Sequence, residues 1–140
     1  MISYAYYTSQ GRYVQTGTAV SEVSHYDIPD GCSVYYGQVD AGSQYHDLAT
    51  GQPADKGTPP ADGYMFDYAT KTWVPNTSYL DYKARYNRDQ LLQASDWTQI
   101  PNNPLTAAQQ SAWATYRQEL RDIPQQPGYP LNITWPAEPT

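Results

Sequence analysis

The chain of 140 residues has little of the chemistry on which catalytic and metal-binding sites depend. It contains one cysteine, Cys32, and two histidines, His25 and His46, which fall in separate predicted strand or loop segments. A single cysteine excludes an intrachain disulfide, and the histidines lack the spacing of a zinc ligand set. The sequence also has no phosphate-binding loop and no nucleophile elbow. We therefore expect a protein that is not an enzyme, without cofactor or metal, whose histidines lie at the surface or are partly hydrogen-bonded.

Charge is also scarce. Charged residues make up 16% of the chain, and the net charge is -6. The residues before Ser78 include three basic and eight acidic side chains, and those after it five and six, so neither half forms a basic patch. This balance disfavours nucleic acid and anionic membrane surfaces as partners. No stretch approaches the run of about 18 apolar residues that a membrane span needs.

Aromatic residues are abundant instead, and they are unevenly chosen. The chain has 15 tyrosines and four tryptophans but one phenylalanine, together with 12 prolines. Tyrosine and tryptophan combine a large apolar body with a polar group, which suits shallow cores and protein contact surfaces. The composition therefore indicates binding rather than catalysis.

Residues 1–76 have the pattern of short strands and turns. Ile2–Tyr7 alternates with period two, and Tyr13–Val20 follows a glycine turn as a second strand. Ile28–Gly31 combines proline and glycine as a tight turn does, and Ser33–Val39 is predicted to be a third strand. We therefore expect a β-hairpin-rich N-terminal domain.

A weak internal repeat lies within this domain, near residues 45–52 and 64–74. Asp47 and Asp67 occupy matching positions in the two copies, each followed two and three residues later by Ala and Thr. An Asp side chain accepts hydrogen bonds from backbone N–H groups ahead of it and so initiates a turn. Calcium binding would need further oxygen ligands, so we interpret each copy as the tip of a β-hairpin.

Two amphipathic helices are predicted in residues 79–140. Tyr79–Trp97 contains no glycine or proline, and Thr106–Gln109 is a capping-box pattern that opens a second helix ending at Pro124. The apolar stripe of the first helix is Leu80, Ala84, Leu91 and Ala94, and that of the second is Trp113, Tyr116, Leu120 and Ile123. Their short connection is typical of a helical hairpin.

The C-terminal segment Gln125–Thr140 holds four prolines, which exclude regular structure, yet it remains apolar and aromatic. We interpret it as an extended strap laid on apolar surface. The predicted fold class is thus α+β: a β-hairpin-rich domain followed by a helical hairpin with a Pro/aromatic strap.

Five aromatic side chains of this region are candidates for partner binding: Trp97, Trp113, Tyr116, Tyr129 and Trp135. The alternative is that they fill the small core between the helices and the strap. Helical spacing favours the core for Trp113 and Tyr116, whereas it does not decide the matter for Trp135.

The arginines of both helices have simpler interpretations. Arg117 and Arg121 are expected to complement the C-terminal dipole of the second helix and to pair with Glu119 or Asp122. Arg85 and Arg88 are expected on a solvated face of the first helix.

These helices also carry a resemblance to a known family. The sequence between about residues 79 and 138 resembles the phage tail assembly chaperone-like domain. The segments that carry the resemblance are Arg88–Leu92, Ser95–Gln99, Pro104–Thr106, Gln110, Trp113–Pro124 and Pro127–Pro136. The resemblance implies a bacteriophage tail protein without catalytic residues, similar to tail-fibre assembly proteins.

The resemblance implies partners as well as a role. These would be tail-fibre or other tail or baseplate polypeptides, bound in the host cytoplasm during assembly. An alternative is a permanent virion component, present in symmetric or oligomeric copies in the tail. A third alternative, a glycan-binding module, is suggested by the tyrosine-rich strands.

Overall fold

The computed structural model describes residues 1–140, the side chain of Tyr26 excepted. Seven strands precede two helices, so the predicted α+β class is confirmed. The strands are β1 (Ile2–Thr8), β2 (Tyr13–Ala19), β3 (Cys32–Tyr36), β4 (Gln44–Asp47), β5 (Gln52–Asp55), β6 (Tyr64–Asp67) and β7 (Thr72–Pro75). The helices are α1 (Thr77–Ala94) and α2 (Ala107–Asp122), and 3-10 turns lie at His25–Asp27, Asp96–Gln99 and Ile123–Gln125.

The chain divides into two compact units, Met1–Val74 and Pro75–Thr140. In the first unit, β1 lies between β2 and β3 in an antiparallel sheet. The third strand begins one residue before the predicted Ser33 and ends three residues before the predicted Val39. Tyr36 pairs with Tyr4 and Gly37 donates to the Ser3 carbonyl, so β3 reaches the start of its partner strand there.

The β4–β5 and β6–β7 hairpins share one turn chemistry. The Asp47 carboxylate accepts from the backbone N–H of Ala49 and from the hydroxyl of Thr50, at 3.0 and 2.9 Å. Asp67 repeats both contacts with the corresponding alanine and threonine, each at 2.9 Å. These hydrogen bonds lower the pKa of both carboxyl groups, the backbone N–H being the largest cause.

His46 joins the β4–β5 hairpin to the sheet. Its imidazole is buried, lies 3.1 Å from the Tyr13 hydroxyl, and stacks on the Tyr7 ring with centroids 3.8 Å apart. We expected a histidine that lies at the surface or is partly hydrogen-bonded. His46 is hydrogen-bonded but does not lie at the surface, because three aromatic rings enclose its side chain. Burial lowers the pKa of His46, and it raises the pKa of Tyr13 to about 12.

The second unit is built around α1 and α2. Asn76 caps α1 by accepting from the Tyr79 N–H at 3.1 Å, and Thr106 forms with Gln109 the capping box that the sequence predicts for α2. The second helix buries Trp113, Tyr116 and Leu120 on one face, with Ile123 directly after it; this confirms the predicted stripe.

Helix α1 differs from its prediction in its end and in its stripe. It ends at Ala94 rather than Trp97, because the Ser95 hydroxyl reaches back to the carbonyls of Leu91 and Leu92 and a 3-10 turn follows. Ala94 is exposed, and Leu92 takes its place against the core.

Candidate protein-binding surface of the C-terminal unit

One apolar cluster holds the second unit together. Its buried members are Trp113, Tyr116, Leu120 and Ile123, and the partly buried side chains packed against it are Leu91, Leu92, Leu105, Tyr129 and Ile133. Its members come from α1, from α2 and from the irregular segments beside them. The cluster therefore holds α1, α2 and the irregular segments beside them together, and these elements carry the surface of the unit.

Arg117 adds a polar anchor to this cluster. The side chain extends from α2 to the C-terminal end of α1, where it donates to the Leu92 carbonyl at 2.6 Å and to the Ser95 hydroxyl at 2.7 Å. Carbonyls in the last turn of a helix carry partial negative charge, so a buried guanidinium is a favourable hydrogen-bond donor to them. The third bond, 2.7 Å to the Asp96 carboxylate, is an ion pair with a mostly exposed partner.

The expected role of Arg117 was therefore wrong. We predicted a side chain near the end of its own helix that pairs with Glu119 or Asp122, and the structure places it in the interior. A sequence signal exists, since Arg117 lies four residues after Trp113 and three before Leu120, on the apolar stripe itself.

The C-terminal segment is tied to α1 by Asp81 and Tyr129. The Tyr129 hydroxyl donates to the Asp81 carboxylate at 2.5 Å, and Arg85 approaches the same carboxylate at 3.0 Å. The bond from Tyr129, followed by that from Arg85, lowers the pKa of Asp81, while burial and the nearby carboxylate raise the pKa of Tyr129. Tyr129 and Ile133 thus have defined contacts, and the rest of the predicted strap stays a prediction.

The five predicted contact residues divide into three groups. Trp113 and Tyr116 are buried in the cluster, edge to face with centroids 5.6 Å apart. Tyr129 is partly buried through its contact with α1. Trp97 and Trp135 remain 45% and 37% exposed.

The two exposed tryptophans pack against different neighbours. Trp97 rests edge to face on Trp113, with centroids 6.0 Å apart. Trp135 lines a shallow apolar depression beside Leu91 of α1, together with Asn87 and Gln90. The structure describes no ring contact between the two indoles, so they are two separate exposed aromatic groups on one unit.

Sequence reasoning did not place three tyrosines of α1 among the contact residues. Tyr79, Tyr82 and Tyr86 are 41%, 66% and 54% exposed, and the rings of the last two stack with centroids 6.4 Å apart. The i, i+4 spacing of Tyr82 and Tyr86 already placed them on one face. Exposure of that face becomes clear only once the buried face of α1 is known.

Two kinds of feature are absent among the described residues. No group of three or more His, Cys, Asp or Glu side chains is arranged to hold a metal ion. Neither helix is both long and apolar enough to cross a membrane.

Comparison with known proteins finds a family match within the C-terminal unit. Residues 82–140 match a family model described as "Phage tail assembly chaperone protein". No curated protein and no solved structure matches the chain. The matched segment includes most of α1, the whole of α2 and the C-terminal segment, and the match supports a role in phage tail assembly. The resemblance found in the sequence is thereby confirmed: residues 82–140 of this chain are similar to the phage tail assembly chaperone proteins.

Proposed function

We propose that this chain binds tail-fibre or other tail polypeptides and assists their assembly or attachment without catalysing a reaction. The proposal rests on the family match together with one structural observation. Trp97 and Trp135 expose indole surface on a unit whose interior is fixed by an apolar cluster and a buried arginine. Tryptophan is the residue most enriched at the centres of protein interfaces, because a rigid ring buries much area at small entropic cost.

The charge pattern fits such a partner better than the alternatives. A net charge of -6 without a basic patch disfavours nucleic acid. A polypeptide partner needs no counter-charge, and it binds through apolar anchors surrounded by polar groups. We place this binding in the host cytoplasm, where tail proteins are made.

Co-expression with a tail-fibre polypeptide of the same phage tests the proposal. We expect soluble, assembled fibre to increase when the chain is present, and to fall again with the W97A/W135A variant. Tyr82→Ala is the matched control, because it removes an aromatic side chain that is more exposed than either tryptophan. Circular dichroism must first show that each variant keeps its helices.

Two results would contradict the proposal in different ways. Equal fibre yields with and without the chain would reject an assembly role. If Tyr82→Ala lowers the fibre yield and W97A/W135A does not, the assembly role stands, but the contact surface is the tyrosine face of α1.

A permanent place in the virion is the second candidate. Residues 1–74 lie outside the matched segment and form a compact unit with its own buried side chains. The surface of this unit would be available for docking on a particle. Mass spectrometry of purified particles decides between the two, since a transient helper would be missing or substoichiometric.

A further inference from the structure

The β2 edge of the three-stranded sheet has no neighbouring strand. β2 pairs with β1 on one side only, and among the described residues those of β1 alone form hydrogen bonds with the backbone of Val14–Ala19. β2 is seven residues long and contains neither a charged residue nor a proline, two of the features by which edge strands avoid pairing. Its bulge lies opposite Tyr7, so the regular free edge begins near Val14. This edge presents backbone donors and acceptors to a further strand.

The register of the sheet shows which backbone groups lie on the open side. The Ser3 carbonyl accepts a hydrogen bond from the residue after β3, so the backbone of Ser3 faces β3. Because the direction of backbone groups alternates along a strand, the backbone of Tyr4 faces β2, where it lies opposite Gly17. The backbone groups of Gly17 therefore face β1, and those of Thr16 and Thr18 face outward.

The side chains along this edge are arranged so that one copy complements another. Val14 and Val20 are 48% and 90% exposed, and they lie three residues before and three after Gly17. Arg12 and Glu22 follow two positions further out, both exposed, and neither side chain takes part in an ion pair of the described residues. On either side of the glycine, the chain thus carries an apolar and then a charged side chain, and the two charges are opposite.

A second copy related by a two-fold axis at Gly17, perpendicular to the sheet, satisfies this pattern. In that register Thr16 lies opposite Thr18 of the second copy, so outward backbone groups meet outward backbone groups, as antiparallel pairing requires. The same register brings each exposed valine to the other valine and the basic side chain to the acidic one, twice by symmetry. Apolar and opposite-charge pairs across strands stabilise a sheet, whereas like charges destabilise it.

The two charged side chains also lie on the same face of the sheet. Glu22 lines a depression over Tyr4 and Tyr6, and Arg12 lies opposite Thr8, whose N–H donates to its carbonyl at 2.9 Å. Tyr4, Tyr6 and Thr8 are alternate residues of β1 and therefore share one face. A two-fold axis perpendicular to the sheet keeps that face on the same side in both copies, so the basic group of each copy can reach the acidic group of the other.

We propose that this chain pairs with a second copy of itself through β2, so that two three-stranded sheets become one sheet of six strands. The charge and apolar pattern on the two sides of Gly17 favours a second copy over an unrelated strand. The proposal goes beyond the binding of tail polypeptides, and it gives residues 1–74 a role of their own. Because a single strand from each copy forms the contact, the interface is small and the dimer should dissociate on dilution.

Charge reversal at the edge tests the proposal on the full chain. Sedimentation velocity over a concentration series should show a monomer that converts to a dimer. R12E and E22R should each weaken dimerisation about tenfold or more, because like charges then meet twice in the interface. The double variant R12E/E22R should restore it, since opposite charges face each other again.

Asp30→Arg is the matched control for E22R. It makes the same change in net charge at an exposed turn residue before β3, on the other side of the sheet. Its dimerisation should equal that of the unmodified chain. Circular dichroism checks that each variant keeps its fold, which we expect because every substituted side chain is exposed.

Hydrogen exchange measured by NMR locates the contact without any substitution. The amides of Thr16 and Thr18 should become protected only at concentrations at which the dimer forms. The amide of Gly17, which faces β1, should be protected at every concentration.

Several results would overturn the proposal. A chain that stays monomeric throughout the concentration series rejects it, and so does a dimer that survives both single reversals or is not restored by the double one. Protection that appears along β3 instead would place the contact at the opposite edge. Protection of Thr16 and Thr18 that requires an added tail polypeptide would assign β2 to that partner rather than to a second copy.

Discussion

Arg117 makes side-chain hydrogen bonds that differ in how much water surrounds them. The bonds to Leu92 and Ser95 are enclosed, whereas the Asp96 side chain at the third bond is 65% exposed. Buried polar groups that lose a partner cost free energy, while exposed ion pairs contribute little. The value of this arginine therefore lies in its contact with the end of α1.

Substitution of Arg117 tests this difference. We expect Arg117→Ala to lower the free energy of unfolding by about 3 kcal/mol, because it removes two enclosed hydrogen bonds from a charged donor to the end of α1. Asp96→Ala should cost less than about 1 kcal/mol. Urea denaturation followed by circular dichroism measures both, and equal losses would show that the ion pair dominates.

His46 makes the first unit sensitive to mild acid. Tyr7, Tyr13 and Tyr35 surround the ring, and the neighbouring Asp47 offsets only part of the effect of burial. Since the folded state lowers the pKa of His46, the unfolded state binds the proton more readily. The contribution of His46 is complete above its unfolded pKa of about 6.5 and is lost as the pH falls below that value.

Urea midpoints for the unfolding of the first unit between pH 5 and 8 test this expectation. Stability should fall on the acid side, and His46→Gln should flatten the profile while lowering stability throughout. The carboxyl groups of Asp40, Asp47 and Asp67 have lowered pKa values, so their own losses come at lower pH. An unchanged slope in the His46→Gln variant would assign the pH dependence to other groups.

At the scale of single elements, α2 begins with a complete capping box. The Thr106 hydroxyl accepts from the Gln109 N–H at 3.3 Å, and the Gln109 side chain accepts from the Thr106 N–H at 3.0 Å. Both orphan donors are thus satisfied by residues three positions apart.

Thr106→Ala should lower the free energy of unfolding of the second unit by about 1 kcal/mol, because it removes one half of the capping box. Thr115→Ala is the matched control. The Thr115 hydroxyl bonds back to the Ser111 carbonyl at 3.1 Å within the same helix, where alanine has the higher propensity, so this change should be neutral or slightly stabilising. Thermal unfolding of both variants provides the measurement, and equal losses would argue against the cap.

Elements controlled by local chemistry could be predicted from the sequence. The capping box of α2, the Asp47 and Asp67 turn contacts and the stripe from Trp113 to Ile123 each depend on residues a few positions apart. The end of α1 depends in addition on Arg117, which lies 22 residues beyond Ser95. The local contacts of Ser95 with Leu91 and Leu92 lie within reach of sequence reasoning, whereas the support from Arg117 does not.

The candidate contact surface also combines features that local sequence predicts with features that depend on distant contacts. Spacing alone favoured burial of Trp113 and Tyr116, and both are buried. The contact of Tyr129 with Asp81 spans 48 residues, and that of Tyr13 with His46 spans 33. Such pairs follow from the packing of whole elements, and the exposure of Trp97 and Trp135 follows from it as well.

At the scale of the whole molecule, the family segment almost coincides with one compact unit. The match covers residues 82–140, and the unit extends from Pro75 to Thr140. The additional residues include Asn76, which caps α1, and Asp81, which holds Tyr129. A fragment that begins at residue 82 would lose both contacts, whereas one that begins at residue 75 keeps them.

We therefore expect residues 75–140 to fold alone and residues 82–140 to be markedly less stable. The longer fragment should show helical circular dichroism, a near-ultraviolet signal from its tryptophans and cooperative thermal unfolding. Asn76→Ala in that fragment should cost about 1 kcal/mol, which separates the cap from the rest of the missing residues. If the two fragments unfold alike, the cap and the Asp81 contact add nothing. Co-expression of residues 75–140 with the fibre then asks whether this unit is sufficient, since both exposed tryptophans, Trp97 and Trp135, lie within it.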